Sequence, residues 1–365
     1  MRPLRILHAE AATGFGGQEG RIFKEMCAMR AAGHHLEALC QPHAKLTTRL
    51  RDEGFQVHTL PMDGLRNYVR GVWQTRAILR AGRFDVLNTH SRRDTLLAGV
   101  AARLAGTPLI VRTRHLAVRP KSLLAYTWVP HCVTTVSEHV RRLLIERGAA
   151  PDRVATVYSP IALPPPVAQS TLRAELRLPD AAVVVGCVAV LREKKGHRAL
   201  IDAMAGLLRQ RPDVFLVLVG DGSPTFEALQ AYVHSLGLQA KVLFTGRRND
   251  IANVLAAFDL FALATEQEAS GTVFVEAAAA GLPVIGTDVG GVAEMLHDGV
   301  TGLLVPLHDQ TALADAIQAL VDDPARRRAM GQAGQRAVHE EGRFTLDALV
   351  RNTEQCYTQW LKEVS

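Results

Sequence analysis

A chain of 365 residues, 48% hydrophobic and 21% charged, exceeds one ordinary core and suits two domains, and its composition excludes a disordered or fibrous protein. Its formal charge of +6 is the sum of two unlike halves: residues 1–165 carry 24 Lys+Arg against 12 Asp+Glu, and residues 166–365 carry 18 against 24. Five scattered cysteines, Cys27, Cys40, Cys132, Cys187 and Cys356, with no Cys-x-x-Cys pair, argue against a zinc site or a disulfide framework and fit a reducing cytoplasm.

The basic first half calls for an anionic partner: a membrane surface, a lipid phosphate or an acidic glycan. A coat of solvated arginines is the plainer explanation. Nucleic acid is not expected as a partner, and no apolar run is long enough to cross a bilayer. The opening MRPLRILHAE turns polar too soon for a signal peptide and reads as a first strand. It feeds the glycine loop AATGFGGQEG and then the helical RIFKEMCAMRAAG, the first strand–loop–helix unit of a doubly wound sheet. Gly14, Gly16, Gly17 and Gly20 miss the G-x-G-x-x-G spacing by one residue, so a nicotinamide cofactor is poorly supported. Such a loop still brings backbone N–H groups close to a phosphate or sugar.

Further strands are read in HHLEALCQP, GFQVHTLPM and FDVLNTHS. Between the last two lies GLRNYVRGVWQTRAILRAGRF, in which Val69, Trp73, Ala77 and Arg80 share one helical stripe framed by arginines. A basic amphipathic helix with a Trp can lie on a membrane; more often its stripe packs on the sheet, and packing is expected here. His90 ends a buried strand, at the edge where open α/β sheets bind ligands. Arg112, Arg114 and His115 follow the next strand and suit a phosphate or carboxylate. Ser137 is placed to cap the helix after VTTV. Pro160, Pro164, Pro165 and Pro166 then make a stiff crossing to the second half.

There, AAVVVGCVAV is a strand leading into the charged loop LREKKG and a helix. DVFLVLVGDGS and VLFTGRRND are buried strands ending in Gly220 and Gly246. AFDLFALAT runs into the most informative stretch, EASGTVFVEAAAAGLPVIGTD. A polar loop closing in Ser270 and Gly271 precedes an alanine-rich helix; Gly281 is its left-handed C′ residue, Pro283 lies beyond, and PVIGT is a strand. Glu268 folds back over the helix start while Glu276 sits about one turn inside, and the free N–H groups near Gly271 and Thr272 form a positive end. That arrangement suits a ligand anionic in its middle and rich in hydroxyls at both ends, as a nucleotide sugar is. The closing segments from Ala312 on are helical.

Glu268 and Glu276, with Gly271, Gly281 and Pro283, closely resemble the Glu-x7-Glu signature of the retaining glycosyltransferases of family 4. Only the last glycine of the common Gly-Phe-Gly after the first Glu is kept, in Ala269-Ser270-Gly271. The resemblance implies the GT-B fold, two Rossmann-like doubly wound parallel-sheet domains facing a central cleft. It implies an acceptor domain at 1–163, a nucleotide-sugar domain at 164–343 and a C-terminal helix at 344–365 crossing back to the first domain. It gives Glu268 the donor sugar and Glu276 the ribose hydroxyls. Gly16, Gly17 and Glu19 match the family's Gly-Gly-x-Glu loop, and His90 its donor-contacting His. Lys195-Gly196 matches the family's Lys-Gly, which with an Arg clamps the diphosphate. That Arg is absent, since Val190 stands in its place; Arg192 two residues later is taken to supply the charge. Gly220, Arg247, Ser270, Gly271 and Thr272 complete the donor site; Glu19, Arg112, Arg114 and His115 make the acceptor site.

No Asp-x-Asp occurs, and neither a metal nor a resident cofactor is expected; the nucleotide sugar is a co-substrate. The expected reaction is sugar transfer with retention to a hydroxyl of a glycan or lipid-linked acceptor in bacterial surface polysaccharide or lipopolysaccharide synthesis, in the cytoplasm or at the inner face of the membrane. Fixed cations would stabilise the departing diphosphate. Another GT-B nucleotide-sugar enzyme, an epimerase or hydrolase, and a non-catalytic nucleotide-sugar binder remain as alternatives.

Overall fold

Near-continuous apolar runs such as VFLVLV are the mark of parallel strands covered on both faces, and they occupy the centre of two sheets. The computed structural model describes residues 2–120, 122–161, 167 and 169–364. Pro164, Pro165 and Pro166 of the crossing lie outside the described residues. The chain divides into one unit of Met1–Pro160 with Arg343–Ser365 and a second of Ile161–Gly342.

The first unit holds β1 (Arg5–Glu10), β2 (His35–Cys40), β3 (Gln56–Thr59), β4 (Val86–Thr89), β5 (Leu109–Arg114), β6 (Cys132–Thr135) and β7 (Val154–Thr156), in the order β3-β2-β1-β4-β5-β6-β7, all parallel. The second holds β8 (Val183–Val188), β9 (Val214–Val219), β10 (Val242–Gly246), β11 (Leu260–Leu263), β12 (Val284–Thr287) and β13 (Gly302–Val305), ordered β10-β9-β8-β11-β12-β13, again all parallel. Both sheets are therefore doubly wound, the class the sequence points to. Each has one topological switch point, β1/β4 in the first and β8/β11 in the second, where the carboxyl ends of neighbouring strands leave a crevice.

Alternation along β1 sends Ile6 into one core layer and Leu7 into the other. Tyr357 and Trp360, on the last helix (Leu346–Val364), fill the Ile6 layer beside Ile22 and Met26 of helix Gly17–Ala31. Asn88 of β4 donates to the Tyr357 hydroxyl at 3.0 Å. Ser137 caps helix Glu138–Ile145 by accepting from the Val140 amide at 3.3 Å, as its position predicts. Helix Leu65–Gly82 packs differently from expectation. Its buried face is Gly71, Val72, Thr75 and Leu79, while Val69 and Trp73 are more than half exposed. The expected stripe runs through Val69 and Trp73; close packing against Leu97 and Leu60 selects instead the face carrying Gly71, whose missing side chain leaves room for them.

Candidate active site

In the second unit the loops after β8 and β11, the two strands of its switch point, are stitched together by backbone. The Lys194 carbonyl accepts from the Glu266 amide at 2.8 Å and from the Thr265 hydroxyl at 3.1 Å. This close approach requires Gly196, which is left-handed (φ +67°) and whose side-chain position lies 1.8 Å from the Ala264 carbonyl oxygen. Lys195 and Glu268 are thereby set face to face, with Nζ 2.5 Å from the Glu268 Oε2. The second Glu268 oxygen accepts from the Ala269 amide at 3.2 Å. The Glu268 backbone is held from behind, where its carbonyl accepts from the Gly291 amide at 3.0 Å. The left-handed Gly290 passes so near that a β-carbon there would sit 1.9 Å from the same carbonyl oxygen.

The helix after this loop runs Thr272–Ala279, opened by Gly271 in the left-handed conformation. Its first amides have no intrahelical acceptor by construction. The Ser270 hydroxyl, at the same end, is buried without a hydrogen-bond partner among the described residues. Glu276 lies half-buried just over one turn in, and Gly281 is left-handed beyond the last turn. Sequence reasoning thus placed the helix, its start and its end within one residue.

Gly220 and Gly222 explain the shape of the loop after β8. Side-chain positions at these two would fall 1.9 Å from the Ala189 carbonyl oxygen and 2.4 Å from that of Leu191, so only glycine lets the loop after β9 pack there. Arg192 stands exposed in that loop immediately before the turn Glu193–Lys195, and Val190 is exposed. Arg247 is exposed after the edge strand β10, two strands from β8.

In the first unit the switch point gathers three histidines. His8 of β1 and His90 after β4 stack with ring centroids 5.2 Å apart, and His8 Nδ1 lies 3.0 Å from His90 Nε2. His90 Nδ1 in turn lies 3.1 Å from His115 Nε2. Burial lowers the pKa of all three, those of His90 and His115 well below the ordinary value, helped by the neighbouring rings and by Arg21 and Arg112. They are neutral near pH 7, so the bonds run head to tail and each ring's tautomer sets the next. Both nitrogens of His90 are occupied, and Nδ1 of His115 is the remaining acceptor or donor of that pair.

Beside them lie two carboxyls that the sequence reading passed over. Burial, and then the proximity of Asp94, push the Glu10 pKa up; burial raises Asp94, against the pull of Arg112. Glu10 accepts from the Ala12 amide at 2.7 Å and from Gln18. Asp94 accepts from the Ala11 amide at 3.2 Å and the Ser91 amide at 2.9 Å. Of the glycine-loop residues, Gly16 and Gly17 begin helix Gly17–Ala31, and Glu19 caps it by accepting from the Gly16 amide at 2.6 Å. Arg112 and Arg114 project from the same face of β5 beside His115. The signal that could have found His8 and Asp94 is a polar residue within or just past a buried strand of the switch-point pair. Among the described residues no group of three His, Cys, Asp or Glu could hold a metal ion.

Two family models together cover most of the chain: Glycosyltransferase Family 4 over residues 15–163 and Glycosyl transferases group 1 over residues 168–337. A D-inositol 3-phosphate glycosyltransferase from Stackebrandtia nassauensis is 31% identical over 336 residues, 80% of this chain and 75% of that protein. The N-acetyl-alpha-D-glucosaminyl L-malate synthase of Bacillus anthracis is 33% identical over 192 residues, 53% of this chain, which spans about half (49%) of that relative. The UDP-Gal:alpha-D-GlcNAc-diphosphoundecaprenol alpha-1,3-galactosyltransferase of Escherichia coli is 25% identical over 88% of each chain. Among solved structures, a glycosyltransferase from Rickettsia africae superposes with a TM-score of 0.90 at 20% identity over 99% of this chain and 100% of that one. The Anabaena protein HepE, in complex with UDP-glucose, gives 0.81 at 22% identity over 98% and 100%.

Proposed function

Because this chain belongs to the family-4, group 1 glycosyltransferases and has their fold, we propose that it transfers a sugar from a UDP- or GDP-sugar, with retention at the anomeric carbon, to a hydroxyl of a glycan or lipid-linked acceptor of the bacterial surface. The observation that carries the reading is the meeting of Lys195 and Glu268 at the β8/β11 switch point, one loop from the open end of helix Thr272–Ala279. Glu276 takes the ribose hydroxyls, and Ser270, Gly271 and Thr272 offer hydroxyl and amides to the phosphates. Lys195, held in place by Glu268 before the donor arrives, turns to the diphosphate with Arg192 and stabilises its charge as it leaves. Glu268 is then released to orient the sugar. Two lysine or arginine cations make a metal unnecessary for the leaving group. Gly220 shapes the loop, and Arg247 lies on the base side.

We assign the first unit's ligand contacts to His90, through His115, and to the loop of Gly16, Gly17 and Glu19, with Arg112 and Arg114 toward the acceptor. Of the family relatives, one is named for a diphosphoundecaprenol-linked sugar and another for lipopolysaccharide core biosynthesis. No helix among the described residues is long and apolar enough to cross a membrane. We place the enzyme at the cytoplasmic face of the inner membrane, held by the exposed Leu65, Val69 and Trp73 with Arg66, Arg70 and Arg80 on one outward face of helix Leu65–Gly82.

The test is product analysis with purified protein, a panel of nucleotide sugars, and reactions with and without glycan acceptors. Nucleoside diphosphate release that depends on acceptor, and an α-linked product from an α-donor by NMR, are expected. Release independent of acceptor would make the protein a hydrolase, and no release from any donor would leave it a binding protein.

A further inference from the structure

Among the described residues that line a cavity of about 370 Å³ in the first unit, the charged side chains are all arginines. Arg112 and Arg114 lie in its floor, Arg92 and Arg119 at its rim, and its lining includes no aspartate or glutamate. Arg112 and Arg114 are 5% and 3% exposed. Among the described residues neither makes a salt bridge, and the Nε of each is buried without an acceptor. Their bonds go to neutral groups: Arg112 to the Ala125 carbonyl at 3.1 Å, Arg114 to the Tyr126 hydroxyl and the Val118 carbonyl. The Tyr126 ring receives both guanidiniums, 3.9 and 4.9 Å from its centroid. Burial lowers the pKa of both, and for Arg112 the neighbouring Arg114 adds to this.

Taking a guanidinium out of water costs several kcal/mol unless an anion compensates it. Two such groups on one strand face, with only the buried Asp94 acting on one of them at a distance, are an arrangement completed by a ligand. Arg119 at the rim already shares its charge with Glu146 at 4.0 Å; the floor has no such partner. The mouth has the opposite chemistry. Leu116, Val118 and Leu124 of its lining are each about half exposed, and the single-turn π-helix Leu124–Trp128 begins at the last of them. Wide turns of this kind recur at functional sites.

We propose that this cavity binds the phosphate of an amphiphilic acceptor, with Arg112 and Arg114 on the phosphate oxygens, His115 as a further partner, and the apolar mouth against the first part of its hydrocarbon chain. This rests on the transferase reading and narrows its acceptor to a phosphate carrying an apolar chain. The site is one of recognition and involves no bond making.

The experiment is titration calorimetry of the full-length protein with octyl phosphate below its micellar concentration, with octyl glucoside and inorganic phosphate as comparison ligands and a nucleotide sugar as a separate arm. Octyl phosphate is expected to bind saturably, and more tightly than either comparison ligand by about tenfold or more. Arg114→Gln and Arg112→Gln should each weaken it by about tenfold to a hundredfold, and the exposed Arg147→Gln should not. Leu116→Ser, at an exposed position of the lining, should bring octyl phosphate down toward inorganic phosphate even if the arginine variants fail to fold. In the unmodified protein, the Nε resonances of two arginines should shift on adding inorganic phosphate. Equal affinity for octyl phosphate and octyl glucoside, or unchanged binding in folded arginine variants, overturns the proposal. If the nucleotide sugar still binds in that case, the transferase reading stands without it; if only octyl phosphate binds, the phosphate site stands and the donor site fails.

Discussion

Glu268 is where one side chain carries the most argument, and its position depends on glycines it touches. Gly290→Ala puts a methyl 1.9 Å from the Glu268 carbonyl oxygen, at a backbone φ of +58° that alanine adopts at a cost. We expect a loss of about 2 kcal/mol or more, seen as a lower melting temperature, with a larger fractional loss of transfer because Glu268 is displaced. A variant as stable and active as the parent would show that the turn does not hold Glu268. Glu10 makes a pH prediction. Its folded-state pKa is raised, first by burial and then by Asp94, so the folded protein holds a proton that the unfolded chain releases. The stability this contributes is complete below the ordinary carboxylate range and is lost as pH rises through the folded value. Glu10→Gln cannot ionise, so its stability relative to the parent should increase from about pH 5 to about pH 8 in denaturant melts. An unchanging difference would contradict the assignment. At this scale Glu268, Glu276 and Lys195 could be nominated from the sequence because each belongs to a short local pattern. His8 and Asp94 were not, because their partners lie across the β1/β4 register, with His8 82 positions from His90.

Helices show the same division. The helix Thr272–Ala279 could be bounded from Gly271 and Gly281, whose left-handed backbones are a local requirement. The packed face of helix Leu65–Gly82 could not, because two apolar faces compete on it and only the neighbouring helix decides between them. Its outward face makes a prediction. Val69→Ser with Trp73→Ser should change stability by less than about 1 kcal/mol, since both side chains are exposed, yet reduce cosedimentation with anionic vesicles several-fold. Added salt should weaken the parent's binding as the arginines are screened. Undiminished binding by the double variant would remove this face from the membrane reading. The last helix makes a different one: Trp360 is 2% exposed between that helix and Gly17–Ala31, so Trp360→Ala should cost about 3–5 kcal/mol in an unfolding titration. A cost below about 1 kcal/mol would mean the helix is not part of that core.

On the whole-molecule scale, the two sheets share one plan, and each gathers its chemistry at its own switch point. The plan was readable because buried parallel strands are mainly apolar and alternate with helices. Only in the second unit does a local motif suggest which ligand a unit would take. The first unit's excess of positive charge was visible in the composition, but its concentration into buried Arg112 and Arg114 depends on the strand face they share. If Glu276 and the open helix end beside it hold a nucleotide sugar, thermal melting across a panel of UDP- and GDP-sugars will reveal it. At least one donor at about a hundred times its dissociation constant should stabilise the parent by about 3 kcal/mol and raise its melting temperature by several degrees, and Glu276→Ala should abolish the rise. A rise that survives in Glu276→Ala, or a parent that no nucleotide sugar stabilises, would contradict the account.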